Sequence, residues 1–404
     1  MSDFSGHLPG SREYRLLLIG LFFGGVATFA QLYATQAVLP SIAVDVGSGP
    51  AGAALTVSAS TLGLAAAVIP WSLVADRIGR VPAMAIGVIA ATLLGAVTPF
   101  AHDLGVLLAL RLVEGVALGA VPAVALAYLS EEVSPRFVAA AAGSYIAGTT
   151  VGGLSGRVAS GLISEFAGWR WGVASVVLLC VVAAAVFLTL VPAARGFVPE
   201  RSRAGKGVTV RRRLGLNLRS TVQLALYAQA FLLMGAFVAV YNYLGFHLAE
   251  PPFSLAPAVV TLLFLAYLAG TVSSPRAGAL AVRYGRLPLL LAGIAMMAVG
   301  VGAMLLPSVA AVIAGLLAFT AGFFAAHAVA SGWTPVAADA EARAQASSLY
   351  YLGYYAGSSL FGWALGLVFA SAGWVVFLSA VLGMCVLALL IAAVALRSAP
   401  AGAR

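Results

Sequence analysis

Three ionisable side chains stand inside long apolar stretches of this sequence: Arg111, Glu114 and Arg157. A charged group in the hydrocarbon core of a bilayer is costly, so such residues usually face a protein interior or a cavity and take part in function. Glu114 can exchange a proton, whereas the arginines stay charged. We predict proton coupling for this set. Two alternatives stay open: Glu114 neutralises Arg111 or Arg157 as a structural pair, or the arginines hold an anion and Glu114 braces them.

Neutral polar and aromatic side chains form a second set of candidates. Tyrosines and amides offer hydrogen bonds and flat apolar faces, which suits a semi-polar organic solute. We expect Phe29, Tyr33 and Gln36 on one helical face, with Gln31 beside them. The predicted solute-binding residues are Tyr33, Gln36, Gln31, Tyr241, Asn242, Tyr354 and His327.

Three of the aromatic residues have alternative interpretations. His327 is either a proton relay or a histidine bonded to a neighbouring helix. Tyr350 and Tyr351 either line a cavity or belong to an aromatic belt at the membrane interface.

Composition and periodicity specify the elements that must position these side chains. With 62% hydrophobic and 9% charged residues among 404, and a mean hydropathy of +1.05, the chain cannot be a water-soluble globule. Its apolar stretches are about 20 residues long, which is enough to cross a bilayer. We predict an all-α integral membrane protein with twelve transmembrane helices. They lie roughly at 16–39, 52–74, 83–100, 104–129, 137–163, 171–192, 221–246, 256–275, 287–306, 308–332, 345–369 and 374–397.

The two halves of the chain repeat each other. The turn Asp76-Arg77-Ile78-Gly79-Arg80 joins two apolar segments, and Arg77, Gly79 and Arg80 recur as Arg283, Gly285 and Arg286, 206 positions later. Gly152 and Gly357, and likewise Gly168 and Gly373, are 205 positions apart. We therefore predict two pseudo-symmetric six-helix bundles, 1–192 and 221–404, joined by a basic linker at 193–220.

Arginine placement predicts the orientation. Counting alternate links puts nineteen basic residues, eighteen arginines and Lys206, on the side that holds both termini and the linker, and Arg170 alone on the other. By the positive-inside rule, both termini are expected in the cytoplasm. No small-residue cleavage site follows the first apolar run, so we expect a retained helix. The predicted location is the bacterial inner membrane, multi-pass, as a monomer.

The hairpin turn resembles the signature loop of the major facilitator superfamily, Gly-x-x-x-Asp-Arg-x-Gly-Arg-(Arg/Lys). This chain has Ser72 for the leading Gly, Val81 for the last basic residue, and Val282 in place of Asp76 in the second copy. The resemblance implies that Asp76 pairs with an arginine and holds one state of a transporter shut. Arg77, or an arginine of the second half, is the expected partner. The alternative is a turn that only signals topology.

Other motifs resemble the drug- and sugar-efflux-like branch of the same family. They are Arg111-x-x-x-Gly115-x-x-x-Gly119, Leu32-Tyr33 with Leu39-Pro40, and Gly168-Trp169-Arg170-Trp171. The first is similar to a family motif associated with proton-linked transport. Antiporter members of the family carry a Gly-Pro-x-x-Gly-Gly pattern in the fifth span, and this chain has no such proline there.

We therefore expect a secondary transporter that exports a small organic solute and is driven by protons. An organic-anion facilitator or exchanger using Arg111 and Arg157 is the alternative, and a non-transporting sensor or scaffold is a further one. The sequence has no nucleotide-binding Gly-x4-Gly-Lys-Ser/Thr motif, no His/Cys cluster for a metal, and no nucleophile with a base. We expect no enzyme activity, no cofactor and no nucleic-acid partner; the expected partners are the solute, protons and the lipid bilayer.

Overall fold

The computed structural model describes residues 6–197 and 210–397, except the side chains of Ala139, Val210 and Arg211. These residues are nearly all helical, which confirms the all-α prediction. The helices are α1 (Arg12–Leu32), α2 (Leu39–Asp45), α3 (Pro50–Ile78), α4 (Arg80–Val97), α5 (Leu104–Leu118), α6 (Ala120–Glu132), α7 (Val138–Ala167), α8 (Trp169–Leu190), α9 (Val210–Arg219), α10 (Thr221–Ala249), α11 (Pro257–Leu262), α12 (Tyr267–Tyr284), α13 (Arg286–Ala303), α14 (Val309–Val336) and α15 (Arg343–Ala395).

Ten segments of the described chain are long and apolar enough to cross a membrane. One of them, Ala340–Ala395, covers the last two predicted spans and is interrupted at Gly373, where φ is 73°. Helix α7 has 30 residues over the fifth predicted span but is not one of the ten. The count of twelve spans therefore stays a prediction.

Backbone packing divides the chain into two compact units. The first is Met1–Ser48 with Ala59–Gly205, and the second is Gly49–Ser58 with Lys206–Arg404. In the first unit α1 packs against α7 and α8, and in the second α10 packs against α15. One boundary, at 205/206, falls inside the predicted linker, at residues outside the described ranges. The boundaries at 48/49 and 58/59 fall before and within α3, so the two six-helix bundles stay a prediction.

Glycines set the closest helix contacts, and they do so at equivalent positions of the two units. A Cβ on Gly152 of α7 would lie 2.6 Å from the Cα of Val26 on α1, and a Cβ on Gly357 of α15 would collide with the backbone of Phe231 on α10. Val26 and Phe231 are 205 positions apart, as are the two glycines. Small residues let helices approach closely in a membrane, so the sequence repeat is also a packing repeat.

The repeated turns also match in backbone conformation. Gly79, between α3 and α4, has φ 99° and ψ 159°, and Gly285, between α12 and α13, has φ 91° and ψ 156°. Both values of φ lie in a region that side chains with a Cβ rarely adopt, so each turn requires glycine.

The first predicted span is broken. Helix α1 ends at Leu32, and i→i+3 hydrogen bonds carry the chain through residues 33–38 before α2 begins. Pro40 at the start of α2 has no N–H, so it cannot continue the helical hydrogen bonds across this point. The prediction that Phe29, Tyr33 and Gln36 share one helical face is therefore wrong beyond Leu32. The linker also contains a helix that the sequence analysis missed, α9.

The packing at Gly152 can be tested by enlarging its side chain. We expect Gly152→Leu to lower the free energy of unfolding by about 3 kcal/mol or more, because the new atoms meet the backbone of α1 and not a movable side chain. Gly143→Leu is the matched control: it lies on the same helix, is exposed, and has no atom within 4 Å of the position that a Cβ would take. Denaturing-detergent titrations of the purified variants provide the measurement. Equal stabilities would contradict this packing.

Candidate functional site

Arg111 of α5 caps the broken end of α1. Its Nη2 donates to the carbonyl oxygen of Leu32 at 2.6 Å, and its Nη1 donates to that of Gln31 at 3.2 Å. The last carbonyls of a helix have no helical partner and carry partial negative charge, so a guanidinium satisfies and stabilises them. Discontinuous membrane helices commonly place such ends at ion and substrate sites.

Glu114 completes this arrangement. Its Oε2 lies 2.5 Å from Nη1 of Arg111, and the two side chains are only 0% and 1% exposed. The position a Cβ would take on Gly95 of α4 is 3.2 Å from Oε1 of Glu114 and also touches the amide of Gln31, so this glycine makes room for both. The Gln31 amide donates to the carbonyl oxygen of Ala91. The described ion pair of Glu114 is thus with Arg111, one of its two predicted partners.

Arg157 of α7 contacts the same break from another helix. Its Nε donates to Oε1 of Gln36 at 2.6 Å, its Nη1 donates to the carbonyl oxygen of Gly153 at 2.5 Å, and its guanidinium lies 4.0 Å from the ring centroid of Tyr33. The structure therefore brings six predicted residues together in the first unit. We call them the helix-break cluster: Gln31, Tyr33, Gln36, Arg111, Glu114 and Arg157.

The glycines of the Arg111 motif hold α5 against α3. A Cβ on Gly115 would collide with the carbonyl of Ser60, and a Cβ on Gly119 would lie 3.1 Å from Cβ of Ala67. The Ser60 hydroxyl also donates to the carbonyl oxygen of Arg111 at 3.0 Å. These contacts hold α5 at a fixed position along α3, and they therefore also fix the position of Arg111 relative to α3.

The predicted polar residues of α10 bind neighbouring helices of the second unit. The hydroxyls of Tyr241 and Thr320 are 2.7 Å apart, and the Asn242 amide donates to the carbonyl oxygen of Gly362 at 3.2 Å. Tyr241 and Asn242 are buried. Both side chains therefore hold α10 to its neighbours in this structure.

His327 of α14 lies in an aromatic group. Its Nδ1 is 3.0 Å from the Tyr350 hydroxyl on α15, and the Tyr354 ring centroid is 4.9 Å from that of the imidazole. The interpretation of a histidine bonded to a neighbouring helix thus matches the structure. Tyr350 is 1% exposed, so its placement in an interfacial belt is wrong; Tyr351 is 38% exposed.

The hairpin turn forms a different ion pair from the expected one. Oδ1 of Asp76 lies 2.6 Å from Nη1 of Arg80, whereas Arg77 is exposed. Arg80 also contacts Glu131 of α6, through Nη2 at 2.7 Å and Nε at 3.0 Å. The prediction of Arg77 as the partner is wrong, because Arg80 at i+4 reaches both carboxylates. Pairing with an arginine of the second half stays a prediction. We call Asp76, Arg80 and Glu131 the hairpin cluster.

The second copy of the turn lacks the aspartate of this cluster. Arg283 is exposed and lies 5.2 Å from the ring centroid of Tyr284. Arg286 is half-buried at the start of α13. Val282 stands where the first copy has Asp76, so the acidic member of the pair is missing.

Two functional candidates escaped the sequence analysis: Glu131 and its neighbour Glu132. Glu132 is fully buried, and its Oε1 accepts hydrogen bonds from the backbone N–H groups of Arg195 and Gly196, both at 2.6 Å. Carboxylates at the C-terminal end of a helix oppose its dipole and need outside partners. Two glutamates ending an apolar span were the signal that could have found them.

The Arg111–Glu114 pair can be tested by a double-mutant cycle. We expect Arg111→Gln to lower the free energy of unfolding by about 3–5 kcal/mol, because it leaves a buried carboxylate without its counter-charge. Adding Glu114→Gln removes that charge and should recover at least about half of the loss. Arg170→Gln, which breaks the more exposed pair with Asp45, is the control. Equal losses in the single and double variants would exclude the buried pair.

The hairpin cluster predicts an order of effects. Glu131 accepts from two nitrogens of Arg80 and Asp76 from one, so Glu131→Gln should destabilise by roughly 1–2 kcal/mol and Asp76→Asn by less. Thermal unfolding in detergent measures both, with exposed Glu165→Gln as control. A larger effect of Asp76→Asn would reverse the assignment.

Comparison with known proteins places this architecture in a family. The model of the Major Facilitator Superfamily matches residues 21–331. The chain is 38% identical over 365 residues to the inner membrane transport protein YnfM of Escherichia coli (strain K12), covering 90% of this chain and 87% of that protein. It is 28% identical over 157 residues to the drug efflux pump JefA of Mycobacterium tuberculosis (strain CDC 1551 / Oshkosh), covering 39% of this chain and 31% of the pump.

The fold agrees with solved structures. A bacterial homologue of the human lysosomal transporter Spinster superposes with a TM-score of 0.75 at 16% identity, covering 96% of this chain and 98% of that one. This likeness concerns the fold alone. Together with the family match and the helical architecture, it shows that the chain belongs to the Major Facilitator Superfamily of multi-pass membrane transporters.

Proposed function

We propose that this transporter exports a small organic solute across the bacterial inner membrane and is driven by protons, with Glu114 as the group that carries the proton. The observation that supports it is the helix-break cluster. A titratable carboxylate is fully buried ten residues after the start of α5 at Leu104, and it contacts the arginine that caps a discontinuous span. Intramembrane carboxylates in contact with such elements are the usual sites of proton relay in transporters.

The proton would act through Arg111. While Glu114 is ionised, the guanidinium holds both the carboxylate and the end of α1. A proton on Glu114 removes the attraction between opposite charges, while Arg111 keeps its hydrogen bonds to the carbonyl oxygens of Gln31 and Leu32. Protonation therefore changes the free energy of the joint between α5 and α1. A ligand that binds two conformations with different affinity shifts their populations, and a proton obeys the same rule.

The direction of transport is inferred from a partial sequence match, and the kind of solute is inferred from side chains of the second unit. The part of the chain that matches JefA, a drug efflux pump, and the efflux-like motifs support export. His327, Tyr351 and Tyr354 present a neutral hydrogen-bonding group and aromatic faces, which suits a semi-polar organic solute better than a simple ion.

An organic-anion facilitator or exchanger is the second candidate. The helix-break cluster contains two arginines and one glutamate, so it carries net positive charge while Glu114 is ionised. Guanidinium groups bind carboxylates and phosphates through paired hydrogen bonds. This candidate predicts anion flux that does not depend on a pH gradient.

Transport by Glu114→Gln separates the two candidates. Proteoliposomes would be assayed with a solute selected by thermal-shift screening of the purified protein. We expect the variant to lose at least about 90% of gradient-driven accumulation, a tenfold effect equal to about 1.4 kcal/mol, because it cannot exchange a proton. Counterflow of the solute should persist, because it needs no net proton movement.

The matched control is Glu165→Gln, which removes an exposed carboxylate from the end of α7. It should behave as the wild type. Full accumulation by Glu114→Gln would remove Glu114 from the mechanism. Wild-type flux that persists after collapse of the pH gradient would favour the anion facilitator instead.

A further inference from the structure

Helix α9 is a short basic helix that leads directly into a membrane span. It runs from Val210 to Arg219, and α10 begins at Thr221. Its ten residues include four arginines and no acidic residue. A helix with basic and apolar faces next to a span is the pattern of an interfacial helix that lies along the headgroups.

One face of α9 is held by the second unit. Asn217 is 2% exposed, and its amide donates to the carbonyl oxygen of Ala342 at 3.1 Å, just before α15. The helix also packs against α10 and α15. Its orientation is therefore fixed by contacts that do not involve the arginines at 212 and 219.

The opposite face carries exposed charge beside exposed apolar surface. At about 100° per residue, Arg212 and Arg219 lie roughly 140–160° around the helix from Asn217, and both are exposed. Leu218 lies between these faces and is 50% exposed. Phosphate oxygens would supply counter-charge for Arg212 and Arg219.

The charges that face α9 from its neighbours do not cancel this surface. Asp339 and Glu341 precede the contact at Ala342, and Arg343 follows it; all three are exposed. Counting Arg212 and Arg219 with these three residues, the surface keeps a positive excess. From these contacts we infer that α9 is a docking surface for anionic phospholipid headgroups of the surrounding bilayer. Arg212 and Arg219 contact the phosphates, and Leu218 inserts at the acyl boundary.

Hydrogen–deuterium exchange of the full chain in nanodiscs tests this inference. Nanodiscs of phosphatidylcholine alone would be compared with nanodiscs containing about 30% phosphatidylglycerol. A basic residue near an anionic surface contributes about fivefold in binding, so we expect two arginines to slow exchange of the α9 amides by about 25-fold with phosphatidylglycerol present. Arg212→Gln/Arg219→Gln should reduce that difference to less than about twofold, and about 1 M NaCl should do the same to the wild type.

The control is Arg12→Gln/Arg15→Gln, which removes two exposed arginines from the start of α1 and should leave the α9 difference unchanged. Thermal unfolding would establish that both double variants are folded. Three results would overturn the inference: equal exchange of α9 in the two lipid mixtures, equal loss in the control variant, or the same protection from inorganic phosphate added to phosphatidylcholine nanodiscs. The last would indicate a site for free phosphate and not for a lipid surface.

Discussion

The buried ion pair between Arg111 and Glu114 is the constraint on which the first unit depends. Neither charge could stay alone in a low-dielectric interior, because the cost of removing it from water would exceed any single neutral hydrogen bond. The pair survives because Arg111 also meets the two carbonyl oxygens at the end of α1. The break in the first span and the charges therefore stabilise one another: an unbroken helix would have no carbonyls to offer, and an uncapped end would leave them without partners.

The contact between Arg111 of α5 and the end of α1 requires helices that approach one another closely. Gly115 lets α5 touch the backbone of α3, and Gly152 lets α7 touch the backbone of α1. A side chain at either position would push the helices apart by more than a hydrogen bond can tolerate. The glycines thus do more than allow packing. They determine whether Arg111 and Arg157 reach residues 31–36, which makes the helix contacts part of the site.

The sequence predicted the helices and their repeat better than it predicted the contacts of the candidate site. Apolar length predicted long helices that can cross a membrane, and the spacing of paired glycines predicted the packing repeat, because both depend on local chemistry. Arg111, Glu114 and Arg157 were found because charge in an apolar segment is visible in one dimension. The end of α1 at Leu32 was missed, since Tyr33 and Gln36 carry no strong helix-breaking signal and Pro40 acts from several residues away. The pairing of Arg80 with Glu131 joins residues 51 positions apart, which spacing alone cannot show.

Equivalent positions of the two units share their place in the helix packing but carry side chains of different chemistry. In the first unit Gln36 accepts from Arg157. At the same offset of 205, the second unit has Tyr241 and Gly362. There the hydrogen bond from a guanidinium to an amide is replaced by neutral ones, between the hydroxyls of Tyr241 and Thr320 and from the Asn242 amide to the carbonyl oxygen of Gly362. One frame thus carries titratable groups in one copy and aromatic, uncharged groups in the other. If Glu114 carries the proton, as we propose, the titratable group lies in the first unit, and the equivalent positions of the second unit hold their helices together through neutral hydrogen bonds.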